Sequence, residues 1–232
     1  MANVSGRGHK VLVLVPAYNE GPAIRTTVER LLAAGHRVVV VDDGSCDETG
    51  AVRDLPIAYL RHAINLGQGA ALQTGMTYAL RSGADMVVHF DADGQHDCSQ
   101  IERLLLPILE GRADVVFGSR FLRKEDAAQV PLSKRVMLRA GILVSWFMTG
   151  VLLTDTHNGF RALSRRALEN VQLQENGFAH ATEILQRVRE ARLKYVEVPI
   201  TITYSTYSKQ KGQKLSGSFS ILFDLIMARL SR

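Results

Sequence analysis

Short runs of aliphatic and β-branched residues, Val11–Val15, Val38–Val41, Met86–Phe90 and Asp114–Gly118, recur along the chain, and helical patterns separate most of them. This alternation constrains the fold more than any other feature, because strands joined through helices run parallel and need cover on both faces. The helical patterns run from Gly21-Pro22 through Leu32, over Glu48–Arg53, Gly69–Ser82 and Cys98–Glu110, with a short strand near Ala58–Arg61. The chain is therefore read as α/β, a mostly parallel sheet with helices on both faces. In such sheets ligands bind beyond the carboxyl ends of the strands, and a polar motif stands at each of those ends.

The sharpest is Asp91-Ala92-Asp93-Gly94-Gln95-His96, directly after Met86–Phe90. Two carboxylates one residue apart at a sheet edge are hard oxygen ligands that can hold Mg²⁺ or Mn²⁺ against a diphosphate. Pro16-Ala17-Tyr18-Asn19-Glu20 follows the first strand, offering a ring and an amide to a base. Asp42-Asp43-Gly44-Ser45 follows the second and can accept hydrogen bonds from base N–H groups or ribose hydroxyls. Asn65-Leu66-Gly67-Gln68-Gly69 places glycines at a helix start, where bare N–H groups face an anion. Each motif alone has a plain alternative: a solvated acid pair, a turn with an N-cap, a loop-to-helix turn.

With 232 residues, 46% hydrophobic and 22% charged, the chain can bury one substantial core. We divide it into a catalytic domain over 1–205 and a basic flap with an amphipathic helix over 206–232. Cys46 and Cys98 have neither CxxC spacing nor a disulfide framework around them. Residues 1–110 hold nine Lys/Arg against thirteen Asp/Glu, while residues 111–232 hold nineteen against ten, so the acidic half suits metal and the basic half suits phosphate. The basic residues are scattered without interleaved aromatics, which argues against nucleic acid. The start of the chain does not read as a signal peptide. The apolar segment 140–153 and the end of the chain are both too short to cross a bilayer, which leaves core or interfacial helices. The expected location is cytoplasmic, peripheral on the inner face of the cell membrane, with the last helix also available to a second copy or a membrane protein.

In order, PAYNE, DDGSCDET, NLGQGAA and DADGQHD resemble the nucleotide-binding half of family 2 glycosyltransferases, of the fold type called GT-A, with a Rossmann-like nucleotide-binding half. The likeness continues through Gly118-Ser119-Arg120, Asp155 to Arg161, Ala179 to Leu185 and Glu197-Val198-Pro199, covering about residues 9–204, and is strongest to dolichyl and polyprenyl phosphate sugar synthases. It implies a sugar donor linked to UDP, GDP or dTDP, held by Pro16, Tyr18, Glu20, Asp42, Asp43, Gly67, Gly69 and Asp91. It implies a divalent cation, Mg²⁺ or Mn²⁺, on Asp91, Asp93 and Gln95. It implies a lipid-linked or glycan acceptor met by Arg120, Arg135, Arg139, Asn158 and Phe160. One departure stands out: Gly94 occupies a position where polyprenyl phosphate members often carry Leu.

The implied reaction is metal-dependent and inverting, with the cation stabilising the departing nucleoside diphosphate. Arg120, Asp155 and Glu183 are the catalytic candidates. A hydroxyl acceptor needs a base, for which Asp155 or Glu183 would serve, Glu183 because its apolar helical surroundings would raise its pKa; an ionised phosphate acceptor needs none. Two other classes compete: a sugar nucleotidyltransferase, which would favour a Gly-rich basic loop after the first strand, and a non-catalytic nucleotide-sugar or dinucleotide-binding module. Against dinucleotides, the glycines follow the third strand rather than the first.

Overall fold

A computed structural model of the chain describes residues 8–123, 142, 146, 147, 149–156, 158–177 and 179–203. The elements in chain order are β1 (Val11–Ala17), α1 (Gly21–Ala33), β2 (Arg37–Asp42), β3 (Ala58–Arg61), α2 (Gln68–Arg81), β4 (Met86–His89), α3 (Ile101–Leu109), β5 (Val115–Ser119), β6 (Arg161–Ser164), α4 (Arg165–Asn170), α5 (His180–Glu190) and β7 (Tyr195–Pro199). Glu48–Asp54, expected as helix, is a 3-10 helix.

The seven strands form one sheet in the order β3-β2-β1-β4-β6-β5-β7. All neighbours are parallel except β6, which runs antiparallel to both β4 and β5. β1 lies inside the sheet between β2 and β4 with all seven residues buried, so it reads as a continuous apolar run rather than an alternating one. Alternate residues divide the core: Val13 and Val15 face the side covered by α1 and α3, whereas Leu12 and Leu14 face the side covered by α2 and α5.

The loops beyond the sheet edge are tied to one another before any ligand is considered. Asp47 caps the 3-10 helix through Thr49 N at 2.9 Å and also accepts from Gly21 N at 2.9 Å, joining the start of α1 to the loop after β2. Asn19, at φ 53°, donates its N–H to Ser45 Oγ (3.0 Å) and accepts from Cys46 N (3.0 Å). The amide expected to reach a base is thus occupied in joining the first two strand-end motifs. No helix among the described residues is long and apolar enough to cross a membrane. The flap and helix expected over 206–232 lie outside the described residues.

Candidate active site

The carboxyl ends of β1, β2 and β4, with the turn into α2, enclose a cleft of about 470 Å³. Pro16 lines it at the end of β1, Tyr18 and Glu20 enter it after β1, and Asp43 after β2. Gly67 and Gln68 enter from the turn, Asp91 and Asp93 after β4, and Gly177 from the segment before α5. Asp43 lines the cleft and shapes it: Oδ2 accepts from Gly67 N (2.7 Å), while Oδ1 accepts from Leu66 N (2.9 Å) and from His62 Nδ1 (2.7 Å).

Asp42 faces elsewhere. It is fully buried, accepting from Ser45 N at 2.8 Å and from the Tyr59 hydroxyl, with Arg61 Nε 3.7 Å away. Burial pushes its carboxyl up, but the hydrogen bonds from Ser45 and Tyr59 outweigh this and hold it below the usual carboxylate range. Of the two acids expected at the donor, Asp43 lines the cleft, whereas Asp42 ties β2 to β3. Gly69 also stays out of the cleft, beneath the backbone of Glu175 and Asn176.

At the cleft floor, Asp91 accepts from His96 Nε2 at 3.0 Å, and His96 stacks on Phe160 with ring centroids 4.7 Å apart. A Cβ on Gly159 would lie 2.5 Å from the Asp91 carboxylate, so the Asn158-Gly159 turn packs directly on that acid. Asp93 accepts from Gln95 N (3.0 Å) and from the Gln95 side-chain amide. Gly94 stands at φ 74°, a conformation that a Leu would rarely adopt, so the departure in sequence is matched by the backbone.

The two acids are pushed apart. For Asp91, burial acts upward but the His96 hydrogen bond and the charges of His96, Arg161 and His180 prevail, and its carboxyl is held low. For Asp93, burial and the charge of Asp91 raise the carboxyl above its ordinary value. Two neighbouring carboxylates that repel each other's ionisation form a site that a cation would neutralise. Among the described residues no three His, Cys, Asp or Glu side chains gather into a metal cage. The two carboxylates and the Gln95 amide oxygen are hard donors of the kind that would suit Mg²⁺ or Mn²⁺.

Across the sheet edge, Arg120 follows β5 and is clamped by Asp155. Nε lies 2.6 Å from Oδ2, Nη2 lies 2.7 Å from Oδ1, and the Arg120 N–H donates to Oδ2 at 3.1 Å. Glu197 on β7 holds the neighbouring turn, accepting from Thr154 N and Oγ1 at 2.9 Å each and from Asp155 N at 3.2 Å. Burial pushes the Glu197 carboxyl up.

Residues 12–172 match the family model for glycosyl transferase family 2. The chain belongs to this family. The glycosyltransferase is 30% identical over 243 residues to the UDP-N-acetylglucosamine–dolichyl-phosphate N-acetylglucosaminyltransferase of Methanococcus voltae, covering 96% of this chain and 97% of that one. It is 33% identical over 222 residues to the polyprenol monophosphomannose synthase of Mycolicibacterium smegmatis, with 90% and 82% covered. Among solved structures it resembles glucosyl-3-phosphoglycerate synthase from Mycobacterium tuberculosis, crystallised with Mn²⁺, UDP and glucosyl-3-phosphoglycerate. The TM-score is 0.64 at 19% identity, over 88% of this chain and 75% of that one, a likeness of fold.

In this glycosyltransferase several expected site residues make contacts within the fold. Both oxygens of Asp155 are engaged by Arg120, and both oxygens of Glu183 accept hydrogen bonds from the backbone N–H groups of Gln174 and Glu175 and from Arg187. Phe160 is fully buried against Phe90 and His96, and Asn158, also buried, accepts from Phe160 N at 3.0 Å. Arg135 and Arg139 lie outside the described residues.

Sequence reading missed His96, Glu197 and Arg161. Arg161 is buried on β6 opposite His89, donates from Nη2 to Asn158 O at 2.9 Å, and is lowered by burial to about 10, with Asp91 and Asp155 opposing the fall. A His inside a DADGQH motif and an Arg inside NGFR gave a signal, but nothing in the spacing indicated that both point inward.

Proposed function

We propose that this family 2 glycosyltransferase moves a sugar from a nucleoside-diphosphate donor to a polyprenyl or dolichyl phosphate, with inversion at C1. The observation that carries the reading is the Asp91–Asp93 pair on the floor of a cleft that also has Tyr18 and Asp43 on its wall. Tyr18 and Pro16 offer a face for the base, and Asp43 and Glu20 offer acceptors for base or ribose. Asp91, Asp93 and Gln95 would hold Mg²⁺ or Mn²⁺; when bound, the cation neutralises the diphosphate as it departs.

An acceptor phosphate oxygen attacks C1 of the sugar from the face opposite the diphosphate. The new C1–O bond forms as the old one breaks, and its electron pair leaves on the nucleoside diphosphate. A phosphate is already ionised at pH 7 and gives up no proton, so this step needs no general base, and Asp155 and Glu183 are left to hold Arg120 and the backbone of Gln174 and Glu175. The Arg120 guanidinium, fixed by Asp155, orients the anionic acceptor, and we assign Arg135 and Arg139 the same chemistry.

The names of the relatives support a lipid phosphate as acceptor. Exposed Trp146, Phe147 and Leu152 support a peripheral position on a membrane surface. Thermal melts with UDP-, GDP- and dTDP-sugars, with and without Mn²⁺, test the donor, and radiolabel transfer to polyprenyl phosphate tests the acceptor. Donor stabilisation that ignores the metal, or transfer only to a sugar hydroxyl, would refute the reading.

A further inference from the structure

We propose that Glu183 is a positioning residue, which fixes one wall of the cleft through the segment 174–177; the proposal rests on the reading of that cleft as the donor site. Glu183 is buried near the start of α5. Its carboxylate accepts from Gln174 N at 3.1 and 2.9 Å, from Glu175 N at 2.9 Å and from Arg187 Nη2 at 3.2 Å. Two backbone donors and a guanidinium occupy both oxygens, the pattern of a carboxylate that holds a loop in place.

The loop so held is in contact with the glycine turn that enters α2. Gly69 N donates to Asn176 O at 2.8 Å. A Cβ on Gly67 would stand 2.2 Å from Asn176 O, and one on Gly69 would stand 2.0 Å from Glu175 O, so the two backbones meet with no room for a side chain between them. On the far side of the turn, Gly67 N donates to Asp43. At the end of the segment, Gly177 lines the cleft, and its carbonyl accepts from His180 Nδ1 at 2.8 Å.

A continuous path of hydrogen bonds and close contacts therefore runs from Glu183 through residues 174–176 to Gly67, Asp43 and the cleft. Loss of the carboxylate removes the acceptor of two backbone N–H groups, those of Gln174 and Glu175, and loosens the segment against the glycine turn. The wall of the cleft then becomes less well formed, and donor binding weakens before the chemistry does.

The test compares wild type with Glu183→Gln, whose amide presents a donor where one backbone N–H needs an acceptor. Donor KM should rise about tenfold while kcat stays within about threefold, with an unchanged pH profile of kcat. Amide exchange at Gln174 and Glu175 should quicken in the same variant. Gly69→Ala should reproduce the rise in KM, and the double variant should cost less than the sum of the two singles, because both act through one segment.

The opposite pattern, a kcat loss of about 10²-fold or more at constant KM with an altered pH profile, would make Glu183 a base and overturn the proposal. Faster exchange with unchanged KM would overturn it too. If wild type bound no nucleoside-diphosphate sugar, the reading of the cleft itself would fail, and the exchange result would still report on the clamp. Arg187→Met, a change at a partly exposed partner, carries the same KM test should Glu183→Gln fail to fold.

Discussion

Arg120 and Asp155 form a two-point ion pair beyond the end of β5, with Nε–Oδ2 at 2.6 Å and Nη2–Oδ1 at 2.7 Å, both side chains almost wholly buried. A planar guanidinium held at two points keeps one orientation, which a lysine ammonium cannot reproduce. Arg120→Lys should therefore lower transfer at least about tenfold while leaving metal-dependent donor binding within about twofold. Parallel calorimetry and turnover assays check it. Asp155→Ala leaves the arginine without its buried partner, so it should also cost about 3–5 kcal/mol of stability in a denaturant melt.

Gly159 is the other structural neighbour of the acid pair. A Cβ there would press on the Asp91 carboxylate at 2.5 Å, and the backbone on both sides is buried, so the acid would have to move. Gly159→Ala should weaken metal-dependent donor binding about tenfold or more with a modest loss of melting temperature, as a sub-ångström displacement at a metal site does. Titration of Mn²⁺ against a fixed donor concentration measures it.

Stability should fall on acidification because of His180. Burial lowers its pKa from 6.5 to about 4, with the Arg161 charge acting in the same direction. The folded protein thus holds this ring neutral while the unfolded chain takes up a proton below pH 6.5, so stability is fully present above 6.5 and declines toward pH 4. The total is about 3 kcal/mol. His89, buried and pushed well below its ordinary value by desolvation, adds to the same slope. Urea melts between pH 7 and pH 4 should show this loss, and His180→Gln should flatten it.

The central sheet and the order of its motifs were legible because β1, β2 and β4 are uninterrupted apolar runs that end at acids or turn residues. β6 was not: Arg161-Ala162-Leu163-Ser164 is four residues with a buried arginine and lacks a β-branched run, so it reads as part of a turn. It enters the sheet between β4 and β5, antiparallel to both. The Asp42-Asp43 pair was recognised but not resolved, since neighbouring residues at a strand end point to opposite faces and only one can reach the cleft. Glu183 was found through its apolar helical neighbours, yet the groups it binds, Gln174 N and Glu175 N, are backbone atoms of a loop that carries no sequence signature.

The most direct measurement is donor binding by wild type and Asp93→Asn, each with and without Mn²⁺. The substitution removes the carboxyl that is raised by burial and by its neighbour Asp91 and leaves the backbone contacts of the loop close to intact. Wild type should bind its nucleoside-diphosphate sugar only with the metal present, and Asp93→Asn should keep its fold while losing that metal-dependent increment and transfer together. Equal donor affinity and turnover in wild type with and without metal, or in Asp93→Asn with metal, would contradict the assignment of Asp91 and Asp93 to the cation and the diphosphate.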